Sequence, residues 1–453
     1  MVVDDNLYVY KEDRGFWKLI VPNDNNRELR KLLPCGFMGR VTKSTLSELH
    51  EWLLVYSNRV YAEDLKKSRN YINFRNLAYN VKDDSFTDDR KNLYFRYSLA
   101  IDYCGEEESY GEFKNFIETA LDHDKKTIRE FRKFFALCLS NCRGLRNAFF
   151  LYGPSGTSKS TVERVLWHTI GAEHCVSLSF SQLSNDFATA TLHGKHLSIS
   201  GEISDMGNKK FDIFKSITGD DLFSSNFKGR DYFTLENRSV LVFATNVLPK
   251  ISNQAESEAM ISRMVIFPFT HVVKRSECVN EYWMTLMQDI PGIVEFAIKG
   301  FKDLREDNFR FHDSDRMEQF KKDYAGENDS FSMFAKEMLE SVSDSRESSE
   351  NIEKAYTSYC KLHDYVPMDK RKWSLLLKRM FTCRGITMPN PSKDTRIRGY
   401  KGVRLNEKAY KLMGTSLPED TVTPADKTSS EEDAPSDISS LNNQISEALA
   451  ELE

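Results

Sequence analysis

The eight cysteines of this 453-residue chain are scattered, and only Cys138 and Cys142 lie close together. No CxxC pair or Cys/His cluster offers a zinc site, and the spacing gives no disulfide framework. Four residues apart in an apolar helical run, Cys138 and Cys142 read as core. No stretch is long and apolar enough to span a bilayer, and no signal-peptide pattern opens the chain, so a soluble, intracellular protein with no membrane partner is expected. Internal repeats are missing. A charge excess is also missing: the formal net charge is −5, which by itself points to no nucleic-acid partner. The distribution says more than the sum. From Asn351 to Met413 fifteen Lys/Arg stand against five Asp/Glu, whereas from Ser416 to Glu453 ten acids stand against Lys427 alone. A basic module followed by an acidic tail sits inside a near-neutral average.

The length allows two or three domains. Residues 1–120 read as a mixed, mostly helical domain, with a hairpin from Asn6–Tyr10 and Gly15–Ile20 and helices over Leu46–Val55 and Asp64–Asn80. Lys125–Cys142 is a strongly periodic helix. Residues 121–300 alternate strands and helices, with strands expected at Ala148–Tyr152, Cys175–Phe180, His196–Ser200, Ser239–Thr245 and Met264–Phe267. That is the α/β pattern of a largely parallel sheet. Helices dominate Tyr282–Glu340, and 301–350 reads as a helical connector whose last stretch, Ser341–Glu350, is a polar linker. The basic module, 351–413, contains helices over Asn351–Tyr365 and Lys370–Phe381 and a hairpin over Arg396–Leu405. Residues 414–453 are expected to be an acidic disordered tail with a short helix at Leu441–Leu452.

The most informative segment is Gly153-Pro154-Ser155-Gly156-Thr157-Ser158-Lys159-Ser160-Thr161. It lies between the apolar run Ala148–Tyr152 and a helix beginning near Val162, the strand–loop–helix order of a phosphate-binding loop. Glycines let backbone N–H groups close around an anion, the helix N-terminus adds positive potential, Lys159 neutralises phosphate, and the Ser160 hydroxyl can ligate Mg²⁺. Ser158 stands where the usual pattern has its second glycine. ATP and Mg²⁺ are therefore the expected ligands.

Hydrolysis further needs an acid near the metal, a group to orient water, and charge stabilisation. Lys195–Ser200 reads as a strand that runs into Gly201-Glu202, placing Glu202 where metal and attacking water would sit; Asp205 is a weaker candidate. The apolar strand Val240–Thr245 ends at Asn246, an amide able to bond both a phosphate oxygen and a water. Arg263, ahead of Met264–Phe269, is a candidate arginine finger for a neighbouring subunit.

Taken in order, Asn6–Tyr10…Trp17, the phosphate loop, Ser200-Gly201-Glu202, Phe214–Asp221, Lys228, Ala244–Pro249 and Arg263…Phe269 closely resemble the superfamily 3 helicases. The likeness is to the branch shared by plasmid and phage primase-helicases and the poxvirus primase-helicase, and it spans most of 6–410. The resemblance implies an AAA+-like ATPase core, a hexameric ring, and translocation on single-stranded DNA that unwinds a fork. It implies that Glu202 activates water, Asn246 senses the γ-phosphate and Arg263 acts in trans. Gly219–Phe233 corresponds to the family's central hairpin, so Lys228 and Arg230 would grip DNA phosphates. The family's C-terminal part is a winged helix, in which Arg396, Arg398, Lys401 and Arg404 would line a wing. Many relatives carry two arginines at the finger, where this chain has Ser262 before Arg263. Relatives often carry a primase domain, and no primase acid motif precedes residue 120, so a separate primase or polymerase would be a partner. The alternatives are a replication initiator or loader that binds origin DNA without processive unwinding, and a degenerate ATPase kept as a DNA-binding scaffold.

Overall fold

A computed structural model describes residues 1–20, 25–34, 41–105, 109–201, 208–219, 221–227, 232–249, 259–327, 330–363, 365, 367–389 and 395–415. Glu202, Asp205, Lys228, Arg230 and the acidic tail with its expected helix lie outside the described residues. The chain divides into two compact units, Met1–Asp329 and Ser330–Glu453.

The first unit opens with an antiparallel sheet of β1 (Val2–Val3), β2 (Asn6–Lys11) and β3 (Phe16–Leu19). The expected hairpin is β2–β3, with Tyr10 opposite Trp17 and their rings 5.1 Å apart. After α1 (Asn25–Leu32), α2 (Lys43–Tyr56) and the single turn α3 (Ala62–Leu65) comes a second antiparallel sheet, of β4 (Tyr71–Asn73), β5 (Ala78–Asn80) and β6 (Ser85–Thr87). The helix expected over Asp64–Asn80 is therefore not formed beyond its first turns, and the region is mixed rather than mostly helical. Buried Ile72 and Phe74, then Tyr79 and Val81, recur at a period of two. Asn73 fixes the arrangement: its buried amide donates to the carbonyls of Gly15 (3.1 Å) and Tyr97 (2.7 Å).

α4 (Glu112–Ala120) and α5 (Lys125–Leu139) lead into the central sheet. Asp124 caps α5 by accepting from the Lys126 N–H, and α5 buries Phe131, Phe134, Phe135 and Cys138. Cys138 and Cys142 are both buried, and burial raises the pKa of both thiols. The following elements are β7 (Ala148–Tyr152), α6 (Lys159–Ile170), β8 (Cys175–Val176), α7 (Asp186–Thr189), β9 (Leu197–Ser200), α8 (Asn208–Thr218), β10 (Leu222–Asn226), β11 (Tyr232–Glu236), β12 (Val240–Thr245) and β13 (Met264–Pro268). The strand expected over Cys175–Phe180 stops after two residues, and Phe180 opens a 3₁₀ turn.

Five strands form one parallel sheet in the order β13-β7-β12-β9-β8, the fold class expected of the alternating pattern. Its residues feed two cores by strict alternation. Phe149, Leu151, Val242, Ala244, Val265 and Phe267 face one, and Ala148, Phe150, Leu241, Phe243, Met264 and Ile266 face the other. β10 and β11 stand apart as a two-stranded antiparallel hairpin within Gly219–Phe233 and its flank. The unit closes with α9 (Tyr282–Leu286), α10 (Ile290–Glu306) and α11 (Asp315–Glu327). α10 packs on α5 so closely that a Cβ on Gly300 would stand 2.1 Å from the Arg132 carbonyl oxygen. Lys133, fully buried, is neutralised there by Glu130 and Asp307, each at 2.6 Å.

The second unit runs α12 (Ser330–Met338), β14 (Leu339–Ser348), α13 (Ser349–Leu362), α14 (Lys370–Met380), β15 (Arg384–Pro389), β16 (Arg396–Leu405) and α15 (Glu407–Met413), with sheet order β14-β16-β15. Two expectations are corrected. Ser341–Glu350 is not a linker: β14 pairs with β16 across a bulge, an edge strand whose Glu340, Ser341, Ser343, Asp344 and Arg346 face water while Glu347 and Ser348 are buried. Arg396–Leu405 is not a whole hairpin but one strand of it, with β15 as the other. The core gathers Phe331, Tyr356, Tyr359, Trp373 and Val403 from both sides of that pairing.

Candidate functional site

β7 ends at Tyr152 and α6 begins at Lys159, so the loop between them lies at the carboxyl edge of the parallel sheet, where such sheets bind ligands. Gly153 passes so close to β13's end that a Cβ there would stand 1.8 Å from the Phe269 carbonyl oxygen. Gly156 has φ +79°, and Ser158 takes the left-handed conformation too, at φ +65°. Ser158 thus adopts the backbone that a glycine would adopt at its position, at a steric cost of about 1–2 kcal/mol for a residue with a Cβ.

The loop's backbone N–H groups from Gly156 to Ser160 donate to no acceptor among the described residues. They lie at the N-terminal end of a twelve-residue helix, where aligned peptide dipoles favour negative charge. The buried Lys159 ammonium spans the loop, donating to the carbonyls of Gly153 (2.7 Å) and Pro154 (2.6 Å) and to Thr157 Oγ1 (3.1 Å). Thr157 Oγ1 in turn donates to the Pro154 carbonyl at 2.8 Å. Burial lowers the Lys159 pKa, and the nearby Glu163 carboxylate opposes that shift. Ser160 and Thr161 occupy the first turn of α6, with Ser160 exposed.

Strand register brings Asn246 to this loop. Thr245 lies opposite Tyr152, so the next residue of each strand meets the other: Gly153 N–H donates to the Thr245 carbonyl at 3.2 Å, and Asn246 Nδ2 donates to Ser155 Oγ at 3.1 Å. β9 ends at the same edge, bringing Gly201 to the threshold of Glu202, whose own position is outside the described residues.

Arg263 lies elsewhere. It precedes β13, and Met264 pairs with Ala148, the first residue of β7, so Arg263 is at the opposite edge, one strand length or about 16 Å away. Its Nη1 donates to the Ala259 carbonyl at 2.8 Å, while its buried Nε has no hydrogen-bond partner among the described residues.

A residue that sequence reasoning missed, Glu163, stands on α6 one turn beyond Lys159. Its carboxylate comes within 3.7 Å of where a Cβ on Gly201 would be. Burial pushes its pKa up to about 7, against the opposing pull of Lys159 and Arg164. The i, i+4 spacing from Lys159 was the available signal.

In the second unit Arg396 and Arg398 are exposed two residues apart on β16, whereas Lys401 pairs with Asp344 (2.9 Å) and Arg404 with Glu340 (3.1 Å). A stronger basic surface is on α14, where Arg371, Lys372, Lys378 and Arg379 are all exposed around the buried Trp373 and Leu377. Among the described residues no cluster of three or more His, Cys, Asp or Glu could hold a metal ion, and no helix is long and apolar enough to cross a membrane.

A family described as "D5 N terminal like" matches residues 4–131, and a family of unknown function, DUF5906, matches residues 151–263, from the end of β7 to Arg263. No curated protein matches the chain. Among solved structures, the A form apo structure of the NrS-1 C-terminal region is 14% identical, with 65% of this chain and 76% of that chain covered and a TM-score of 0.39. The apo structure of the NrS-1 C-terminal region (305-718) is 16% identical, with 69% of each chain covered and a TM-score of 0.40.

Proposed function

We propose that this chain is an ATP-driven DNA helicase of the superfamily 3 primase-helicase type, acting in the replication of a virus, plasmid or other mobile element. The observation that carries the reading is the cradle of N–H groups from Gly156 to Ser160 at the head of α6, with Lys159 across it and Asn246 beside it. The D5 N-terminal-like match over residues 4–131 supports it.

In this mechanism the loop N–H groups and Lys159 bind the β- and γ-phosphates of ATP, and Lys159 exchanges its loop carbonyls for phosphate oxygens. Ser160 and Glu202 would hold Mg²⁺, which would neutralise charge on the transferred phosphate. Glu202 accepts a proton from the attacking water, and Asn246 orients that water against the γ-phosphate. Arg263 is too far from its own chain's loop to act there, which supports a ring in which it reaches the next subunit's nucleotide. A hexamer of such split sites would move Lys228 and Arg230, which lie between β10 and β11 in the sequence, along a DNA backbone. The second unit's order of helices and strands, with sheet order β14-β16-β15, fits a winged helix, and the basic face of α14 then becomes its main phosphate-contacting surface.

The deciding experiment is unwinding of a forked duplex with ATP by the wild type and by Lys228→Ala. A helicase separates strands, and Lys228→Ala keeps basal ATP hydrolysis while losing unwinding. An initiator binds particular duplex sites without separating a fork.

A further inference from the structure

On the side of the first unit away from the phosphate loop lies a cavity of about 320 Å³ that the mechanism above does not use. It is built at the amino edge of the parallel sheet. Arg143 comes from the turn before β7, His196 from just before β9, and Arg238 from just before β12. Arg96 and the loop residue His193 complete the polar wall, and Leu222 and Leu235 from the root of the β10–β11 hairpin form its floor. Gly194 lets the 193–195 loop close against the N-terminal sheet: at φ +72°, a Cβ there would stand 2.6 Å from Leu19 Cδ2.

Charge in this cavity is unbalanced. Four cationic side chains, Arg96, Arg143, Lys195 and Arg238, share it with two carboxylates, Asp4 and Glu236. Glu236 pairs with Arg238 at 2.9 Å, and Asp4 is exposed. Arg143 pairs with no acid among the described residues: it donates to the carbonyls of Arg238 (2.6 Å), Ser140 (2.9 Å) and Cys142 (2.6 Å) and to His196 Nδ1 (2.6 Å). His196 is kept neutral, donating from Nε2 to the Cys138 carbonyl at 2.9 Å. The Arg96 side chain has no hydrogen bond or ion pair among the described residues. Buried His193 Nδ1 has no partner either. These groups also work against one another. Burial and then Arg96 push His193 down to about 4 and lower Arg238, and burial pushes Arg143 down to about 10. A fold gains nothing by gathering like charges in this way unless something anionic joins them.

We propose that this cavity binds the phosphate of a nucleotide, with Arg96 and His193 as the groups that contact it and Arg143 and His196 as the rigid wall behind them. The volume suits one nucleotide, at the lower end of ligand-pocket sizes. The phosphate has two possible sources, a free mononucleotide or a residue of a single strand passing the root of the hairpin. The site is separated from the phosphate loop by the length of the sheet, so it stands whether or not the loop hydrolyses ATP.

The test uses the full chain carrying Lys159→Ala, so that the phosphate loop does not contribute. Binding of inorganic phosphate, of thymidine monophosphate and of a twelve-residue oligo-dT is measured by calorimetry, then repeated with Arg96→Ala, Arg96→Lys and His193→Gln added. The expected result is saturable binding that Arg96→Ala weakens tenfold or more, His193→Gln weakens less, and Arg96→Lys largely restores. Loss confined to oligo-dT assigns the phosphate to a strand, and loss of mononucleotide binding assigns it to a free nucleotide. Folding gives an independent readout. Because Arg96 crowds other cations, Arg96→Ala should unfold at the same or a higher midpoint and lose the stabilisation that phosphate gives its parent. If none of the three probes binds more weakly in Arg96→Ala or in His193→Gln, or if Arg96→Ala merely destabilises the chain equally with and without phosphate, the proposal is wrong.

Discussion

Replacing Glu163 by Gln should make the protein more stable at neutral pH, although it removes a charge from beside Lys159. Glu163 titrates near 7 in the folded chain because burial disfavours its ionised form more than Lys159 and Arg164 favour it. In the unfolded chain the carboxyl titrates at its ordinary value, about 4.3. Below that value both states hold the proton and folding is not penalised. Between about 4.3 and 7 the unfolded state releases its proton while the folded state keeps it, so stability falls as pH rises; above 7 the penalty is constant. At 1.36 kcal/mol per pH unit, the gap between about 4.3 and about 7 corresponds to at most about 3–4 kcal/mol, an upper figure because the side chain is partly exposed. Gln keeps the shape and cannot ionise. Urea midpoints of wild type and Glu163→Gln, measured every half unit from pH 4.5 to 8, should therefore coincide at the acid end and separate in the variant's favour toward pH 7. A difference that stays constant across that range, or that favours the wild type at pH 8, would refute burial as the cause of the shift.

Asp307 gives the opposite pH signature. Hydrogen bonds from Arg129 and then Lys133 hold its carboxyl down at about 2, so its contribution is complete above about 4 and is lost as pH falls toward 2. Asp307→Asn should be less stable than wild type at pH 7 in urea, with the gap narrowing below pH 4. Gly300→Ala places a Cβ 2.1 Å from the Arg132 carbonyl oxygen, forces α5 and α10 apart, and should cost about 1–3 kcal/mol by the same measurement. At Ser158, relief of left-handed strain by glycine, about 1 kcal/mol or more, is offset by glycine's extra freedom in the unfolded chain, about 0.4–1 kcal/mol. Ser158→Gly should thus keep stability within about 1 kcal/mol and ATP affinity intact, whereas Ser158→Val, β-branched at φ +65°, should lose ATP binding in a calorimetric titration.

The phosphate loop was legible because its chemistry is contiguous in sequence: Gly153 to Thr161 spell out loop, lysine and hydroxyl between a strand and a helix. Asn246 was legible for a related reason, since an apolar strand ending in a polar residue exposes that residue at a sheet edge, and parallel register then sets it beside the loop. Glu163 was not legible, because its unusual ionisation comes from burial that no local pattern records. The β4–β5 region was misread as helix because Asn73, polar in sequence, is a buried tie from β4 to segments distant in the chain. Ser341–Ser348 looked like a linker because an edge strand needs few apolar residues, its pairing with β16 supplying the order. The Arg96–Arg143–His193 cavity had no sequence signature, since its residues meet only after the sheet, the N-terminal hairpin and the β10–β11 root have come together.

The central claim is that Gly153–Thr161 turns over ATP for work on DNA. Its most direct test is the rate of ATP hydrolysis by the full-length chain with and without single-stranded DNA, for the wild type and Lys159→Ala. Hydrolysis by the wild type that rises when single-stranded DNA is added, and that falls at least a hundredfold in Lys159→Ala, is the expected result. A wild type that hydrolyses no faster than Lys159→Ala, with or without DNA, would contradict it.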